Sequence, residues 1–273
     1  MTNAPLRLGG VPEHFNLPWR LAVESGALDD VAVEWADQLG GTGEMLAGLE
    51  EGTLDVVSIL TEGTVSAIAD GLDAVILQVY VSSPLQWGVF VPASSPFEVE
   101  EELEGRPIAI SRYRSGSHLM AFVQAERHGW KLSDDQFVVT GGLEGARAAF
   151  ADGDAEVFLW DRFMTRPLVD AGEFRRVGVQ LTPWPSFVIA ARTEALAGRT
   201  VEVGRVVDAV VAEATALHAR DGIGEMIAER YGLRPDVAAE WLETTTFAPR
   251  AHFEPAIGDD VLSTLTSAGF RAT

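Results

Sequence analysis

A segment that occurs twice constrains this chain more than any other feature. From Gly40 it reads GGTGEMLAGLEEGTLDVVSIL, and from Gly141 it reads GGLEGARAAFADGDAEVFLWD. The copies align without a gap. A Gly-Gly pair (Gly40 and Gly41; Gly141 and Gly142) opens a helical stretch in which Ala47 matches Ala148. Leu49 or Phe150 precedes a helix-ending glycine, Gly52 or Gly153, then an acidic residue, Asp55 or Glu156, then an apolar run. Each copy therefore reads as loop, helix, turn and strand. Two such units predict two α/β lobes built on one plan, and proteins of that kind commonly work in the cleft between lobes. Identity between the copies is low, so two ordinary strand-helix units without common origin stand as the alternative.

The rest of the chain fits the same plan. Leu6 to Leu8 form a first strand running into Gly9, Gly10 and the polar loop VPEHFN, and proline suits a helix start near Pro18. Val31, Val33 and Trp35 alternate as a strand, Val56 to Leu60 form another, and a helix follows from Glu62 to Asp70. Ala74 to Val81 and Trp87 to Val91 read as strand, turn, strand around SSPLQ. The Pro/Ser-rich PASSPFEVEEELEG then reads as a crossing, with a short acidic helix, into a second set: strand 107–111, helix 116–128, strand 137–140, the second repeat and strand 176–179. TPWPSFVIAAR reads as the return crossing before a buried strand 187–191, and the sequence is mostly helical from Val201. Alternating strands and helices predict an α/β protein with largely parallel sheets. The expected lobes are 1–92 with 187–273, and an inserted 93–186, the C-terminal helices packing on the first.

Composition removes several function classes. A formal net charge of −21 over 273 residues opposes nonspecific nucleic-acid binding and attraction to anionic membranes. No run approaches the roughly 18 uncharged apolar residues of a membrane span, so direct insertion is not expected. A cysteine-free chain has no disulfide, thiolate zinc site or cysteine nucleophile. The N-terminal MTNAPLRLGGVPEHF lacks a leader pattern, which gives cytoplasmic location as the expectation, or periplasmic or extracellular location if a leader precedes it. Lys131 is the sole lysine; coding bias accounts for the arginine preference, with adaptation to high salt as an open addition.

SRYRSGSHLMAF, Ser111 to Phe122, is the strongest local signal. A strand end, a Gly/Ser loop and a helix start near Ser117 combine free backbone amides with the positive end of the helix dipole, which suits an anion. Ser115 and Ser117 can add hydroxyls, and Arg112 or Arg114 can add charge; alternatively Ser117 only caps the helix and the arginines are solvated. Gly40 to Gly43 present amides similarly at another helix start, without a Walker or GxGxxG pattern. Thr61 and Glu62 end a buried strand and either line the same cleft or serve as helix cap and first-turn carboxylate. Trp160 beside Asp161, and Trp19, Trp87 and Trp184, are candidate aromatic walls or plain packing residues. The five histidines show no metal-ligand spacing, and no GxSxG is present. Neither a catalytic residue, a metal nor a cofactor is assigned.

Taken together, GVPEHFNLPW, GGTG with LDVVSILTEG, SRYRSGSHLMAF, VFLWDRF and TPWPSFVIA resemble the type II periplasmic-binding-protein fold. The resemblance runs to the nitrate, sulfonate and taurine solute-binding proteins and the thiamine-pyrimidine synthases, and most closely to a signal-peptide-free cytosolic subgroup. It covers nearly the whole chain. It implies two lobes with a ligand held between strand-end loops, and on this chain it implies His14 and Asn16 in the first loop and Gly41, Thr42 and Gly43 in the second. It further implies Thr61 and Glu62 after the third strand, Ser115, Gly116, Ser117 and His118 at the helix start of the other lobe, and Trp160 and Asp161 after its repeat strand. The implied role is noncatalytic binding of a small organic anion, with an ABC permease as a partner class. An enzyme of thiamine-pyrimidine or related cofactor metabolism is the alternative, with His14, Glu62 and His118 as proton carriers; an exported ABC-transporter subunit whose leader lies upstream is another. The chain departs from both standard roles, having neither an export signal in the given sequence nor the synthases' cysteine-rich motif.

Overall fold

The structure, a computed structural model, describes residues 4–270. Along the chain, β1 (Leu6–Gly10) leads through a single 3-10 turn, His14–Asn16, into α1 (Leu17–Glu24), followed by β2 (Val33–Asp37) and α2 (Gly41–Glu51). Then come β3 (Val56–Leu60), α3 (Thr61–Ala69), β4 (Ala74–Val81) and β5 (Gln86–Pro92). After a 3-10 turn at Glu100–Leu103, the chain forms β6 (Ile108–Ile110), α4 (Gly116–His128), β7 (Phe137–Val139) and α5 (Leu143–Asp152). β8 (Val157–Asp161), α6 (Arg166–Asp170), β9 (Phe174–Leu181) and β10 (Phe187–Arg192) follow. The chain finishes with α7 (Thr193–Ala216), α8 (Ile223–Tyr231), α9 (Pro235–Thr244) and α10 (Pro255–Ser267).

The strands form two five-stranded sheets of matching order, β2-β1-β3-β10-β4 and β7-β6-β8-β5-β9. In each, the first three strands pair in parallel and the fourth runs against its neighbours. The repeat occupies equivalent places: α2 and β3 in one sheet correspond to α5 and β8 in the other. Both repeat helices end on a left-handed glycine, Gly52 at φ 72° and Gly153 at φ 78°, a backbone region where a side chain is penalised. The acidic repeat residues also coincide, since the Asp55 amide donates to the Arg7 carbonyl near the start of β1 and the Glu156 amide to the Pro107 carbonyl just before β6.

Contacts divide the chain into two compact units. Among the described residues the first covers 4–83 and resumes over Trp184–Gly258; the second is Pro84–Pro183 with 259–270. SSPLQ is therefore not a hairpin turn. β5 hydrogen-bonds to β8 and β9 instead of β4, so the first passage between units lies at Ser83–Pro84, and residues 84–92 go with the second sheet. PASSP lies within the second unit, where the Ala93 amide donates to the Glu173 carbonyl. The return passage at Pro183–Trp184 falls inside TPWPSF. α7 packs on α1, β10 and β4 of the first unit.

Each unit has its own core. In the first, Met45 and Leu49 of α2 pack with Leu54, Val57, Ile59, Val188 and Ala190. In the second, Ala146 and Phe150 of α5 pack with Phe90, Ala109, Phe158 and Phe174. At roughly 25 cal/mol per Å² of apolar surface removed from water, such layers hold the strand ends, and the loops on them, in fixed positions.

Candidate functional site

In the first unit, the C-terminal ends of the neighbouring parallel strands β1, β2 and β3 carry the predicted loops, where open α/β sheets bind ligands. His14 is fully buried, with its ring centroid 4.6 Å from that of Trp241, 4.7 Å from that of Phe15 and 6.1 Å from that of Tyr231. Burial pushes its pKa down to about 3, so the imidazole is neutral and offers an anion no charge. Asn16 donates from Nδ2 to the Val11 carbonyl at 2.8 Å, while its Oδ1 is buried without a hydrogen-bond partner. Its amide lies so close over Gly10 that a Cβ there would come within 2.7 Å of Nδ2.

The Gly-Gly loop is less open than its sequence suggests. Glu44 Oε2 accepts from the Gly40 amide at 2.6 Å, and the Gly41 amide donates to the Gln38 carbonyl in a turn with φ 65°. Thr42 and Gly43, half-buried in the first turn of α2, retain the uncommitted position that helix starts leave to their amides. Thr42 also packs against α3, since a Cβ on Gly63 would lie 2.5 Å from Thr42 Cγ2. Thr61 is buried and structural: its hydroxyl donates to the Pro185 carbonyl at 2.5 Å and its amide to the Ser186 carbonyl. Glu62 is buried as well, accepting on Oε2 from the Trp184 indole N–H at 2.9 Å, with Oε1 unpartnered. Burial pushes this carboxyl up to about 7.

In the second unit, the loop between β6 and α4 is a closed hydroxyl network. Ser115 caps α4 by accepting from the His118 amide, Ser117 Oγ accepts from the Ser111 amide at 3.0 Å, and the two hydroxyls lie 3.1 Å apart. Gly116 and Ser117 occupy the first turn, whose amides have no carbonyl partner within the helix. His118 is buried in an aromatic cage of Tyr113, Phe122, Phe137 and Phe270, at 4.5 to 5.5 Å between centroids. Its Nδ1 accepts from the Arg114 amide at 3.0 Å, which fixes the Nε2–H tautomer and holds Arg114 at φ 65°. Burial pushes this imidazole down to about 4, so His118 shapes the loop as a neutral ring.

At the end of β8, half-buried Trp160 stacks on Phe158 at 5.2 Å. Asp161 is buried, its Oδ1 accepting from the Phe163 and Met164 amides at 2.9 and 2.8 Å. Its Oδ2 has no partner, and burial pushes the carboxyl up to about 6. Thus His14, Asn16, Gly41, Thr42, Gly43, Thr61 and Glu62 gather at strand ends of the first unit, and Ser115, Gly116, Ser117, His118, Trp160 and Asp161 at those of the second. Sequence reasoning missed Tyr231 and Trp241, which enclose His14 from distant helices, and Gln180, whose only signal is its register opposite Trp87. Among the described residues no cluster of metal-ligating side chains is present.

Comparison with known proteins agrees with this architecture. The family described as Ca3427-like PBP matches residues 87–180, the body of the second unit. The Candida albicans CA3427 gene product, described as defining a new family with the generic periplasmic binding protein fold, is 27% identical with a TM-score of 0.92, over 99% of this chain and 92% of that one. The alkanesulfonate-binding protein SsuA from Xanthomonas axonopodis pv. citri, bound to MOPS, is 18% identical with a TM-score of 0.82, over 100% and 96%. The periplasmic aliphatic sulphonate binding protein SsuA from Escherichia coli is 21% identical with a TM-score of 0.72, over 98% and 91%. No curated protein matches the chain by sequence. With its twin sheets, each crossed by one antiparallel strand, and its likeness to these structures over nearly its full length, the chain has the type II periplasmic-binding-protein fold.

Proposed function

We propose that this chain is a noncatalytic binding protein for a small organic anion, of the ABC solute-binding type, holding its ligand at strand-end loops. The observation that carries the reading is the start of α4: a capped helix beginning with Gly116 and Ser117 at the end of a parallel strand, in the segment that matches the Ca3427-like family. The sulfonate-binding neighbours support the same ligand class, and an ABC permease is the partner class it carries. Neutral His14 and His118 leave the attraction to amides, hydroxyls and dipole. Native mass spectrometry of the purified protein, repeated after denaturation, tests the reading. A stoichiometric small anion released on denaturation is expected; absence of any such compound, with no thermal shift from sulfonates, carboxylates or phosphates, would overturn it.

One observation favours a second reading. Glu62, buried and pushed up to about 7, has the protonation behaviour of a general acid or base at neutral pH, which an enzyme could use. Turnover of a bound compound, abolished in Glu62→Gln with the fold retained, would put catalysis first.

A further inference from the structure

Three side chains of the second unit stand in one row across its sheet. In the antiparallel pairing of β5 with β8, Trp87 lies opposite Asp161; in that of β5 with β9, Trp87 lies opposite Gln180. Directly opposed residues of antiparallel strands project from the same face, roughly 5 Å apart at Cβ. Asp161, Trp87 and Gln180 therefore share a face, with Trp87 in the middle. All three are at least nine-tenths buried. Each also keeps one polar atom without a hydrogen-bond partner: Asp161 Oδ2, Trp87 Nε1 and Gln180 Oε1. Their remaining polar atoms are engaged, with Asp161 Oδ1 on two backbone amides and Gln180 Nε2 donating to the Met120 carbonyl at 3.4 Å.

Three buried orphans in one row are unusual, because each costs about 1 to 3 kcal/mol if left unmade. Their order is also specific. Asp161 presents an acceptor, the indole N–H a donor and the Gln180 carbonyl an acceptor. The complement is an acceptor flanked by N–H donors, the pattern of a ureido group and, in part, of a primary carboxamide. The bond from Gln180 to Met120 shows that this face is the one covered by α4, the helix whose first turn carries Gly116 and Ser117.

We infer that Asp161, Trp87 and Gln180 form the floor of a subsite for a planar ureido or carboxamide head, on the side of the sheet where α4 begins. The ligand class is then a small organic acid with an amide-type head, its anionic end at the α4 start and its head on the row. The anionic end rests on the function proposed above; the head rests on the row alone. Burial raises the Asp161 carboxyl, so an N–H donor on Oδ2 is favoured further when it ionises. Neither Trp87 Nε1 nor Gln180 Oε1 has a hydrogen-bond partner in the protein to compete for the head.

The test uses the full chain labelled with nitrogen-15, reading the Trp87 indole N–H signal, assigned by its loss in Trp87→Phe. The probes are 3-ureidopropionate and its shape twin 5-methylhexanoate, which share the anion and differ in the head, and urea against tetramethylurea at 0.1 M. The expected result is that 3-ureidopropionate and urea move the Trp87 signal and their apolar twins do not. Binding of 3-ureidopropionate should exceed that of 5-methylhexanoate at least tenfold, which Gln180→Leu reduces to less than threefold with the rest of the spectrum unchanged. Urea acting alone, with neither acid bound, would keep the head subsite and remove the anion reading. Equal binding of both acids without movement of Trp87 would keep the anion reading and overturn the subsite. A Trp87 signal unmoved by urea and by 3-ureidopropionate, with a persistent contact to one ordered water, would also overturn it.

Discussion

The Trp184 indole N–H donates to Glu62 Oε2 at 2.9 Å, joining two residues 122 positions apart at the point where the chain re-enters its first unit. The bond holds a carboxyl that burial would otherwise push still higher, because hydrogen bonding to the charged form lowers its pKa. Burial pushes Glu62 from the ordinary 4.5 up to about 7 in the fold, so its ionisation opposes folding. Below pH 4.5 both states are protonated and nothing is lost; between pH 4.5 and 7 the unfolded chain releases its proton first, and stability falls by about 3 kcal/mol. Urea unfolding of Glu62→Gln should match the parent near pH 4.5 and exceed it increasingly up to pH 7, with a constant gap above. A gap independent of pH would contradict this.

The buried histidines act in the opposite direction. His14 and His118 are pushed from 6.5 down to about 3 and about 4, so the unfolded chain takes up protons that the fold refuses. Their contribution is fully present above pH 6.5 and is lost as pH falls through the interval to 3. His14→Phe, an aromatic placed among Phe15, Tyr231 and Trp241, should flatten the acid side of the stability curve. Denaturation midpoints measured from pH 7 to 4 check this, and an unchanged slope would count against it.

The close approach of Thr42 and Gly63 makes a paired prediction. Gly63→Ala should cost about 1 to 3 kcal/mol by overpacking, because the new methyl would lie 2.5 Å from Thr42 Cγ2. Thr42→Ser removes that methyl and should recover at least half of the loss. Thermal denaturation of the two single variants and the double variant measures the coupling.

Asp55 sets the position of two strands at once. Its Oδ1 lies 2.8 Å from Arg7 Nη2 and 3.0 Å from Arg192 Nη2, and its Oδ2 accepts from the Arg7 backbone amide. Burial raises this carboxyl, but the bonds from Arg7 and Arg192 outweigh it and hold the group below its ordinary range. Asp55→Asn should cost about 2 kcal/mol, less than a fully buried pair because both arginines are partly exposed. The loss should start to shrink as pH falls below 4, where the carboxyl of the unfolded chain protonates before the folded one; chemical denaturation at pH 7 and pH 3.5 distinguishes this from a packing defect.

Much of the fold was legible because it rests on local signals. The glycines after Leu49 and Phe150 and the β-branched runs at 56–60 and 187–191 each state a short-range preference, whereas the sequence offers Ser117 as the cap of α4 and the structure uses Ser115. The edges of the units were not legible, because Trp87–Val91 has the same alternation whether it pairs with β4 or with β8. Register is a tertiary property, and for the same reason the row of Asp161, Trp87 and Gln180 could not be read from spacing. At the strand ends the residue types were legible but their commitments were not. Thr61 spends its hydroxyl on Pro185, and His118 its Nδ1 on Arg114, contacts that only the folded loops create.

The crossed strands also order the chain in time. All five strands of the second sheet come from one continuous stretch, 86–181, whereas the first sheet lacks the partner of both β3 and β4 until β10 is made at 187–192. During synthesis the inserted half can close its sheet while the first half still exposes two strand edges, the long-range pairing that slows folding and invites misassociation. Pulse-labelled hydrogen exchange during refolding should find the amides of β5, β8 and β9 protected before those of β3 and β4. The protein's vulnerable interval is thus the wait for six residues that arrive more than a hundred positions after the strands they join.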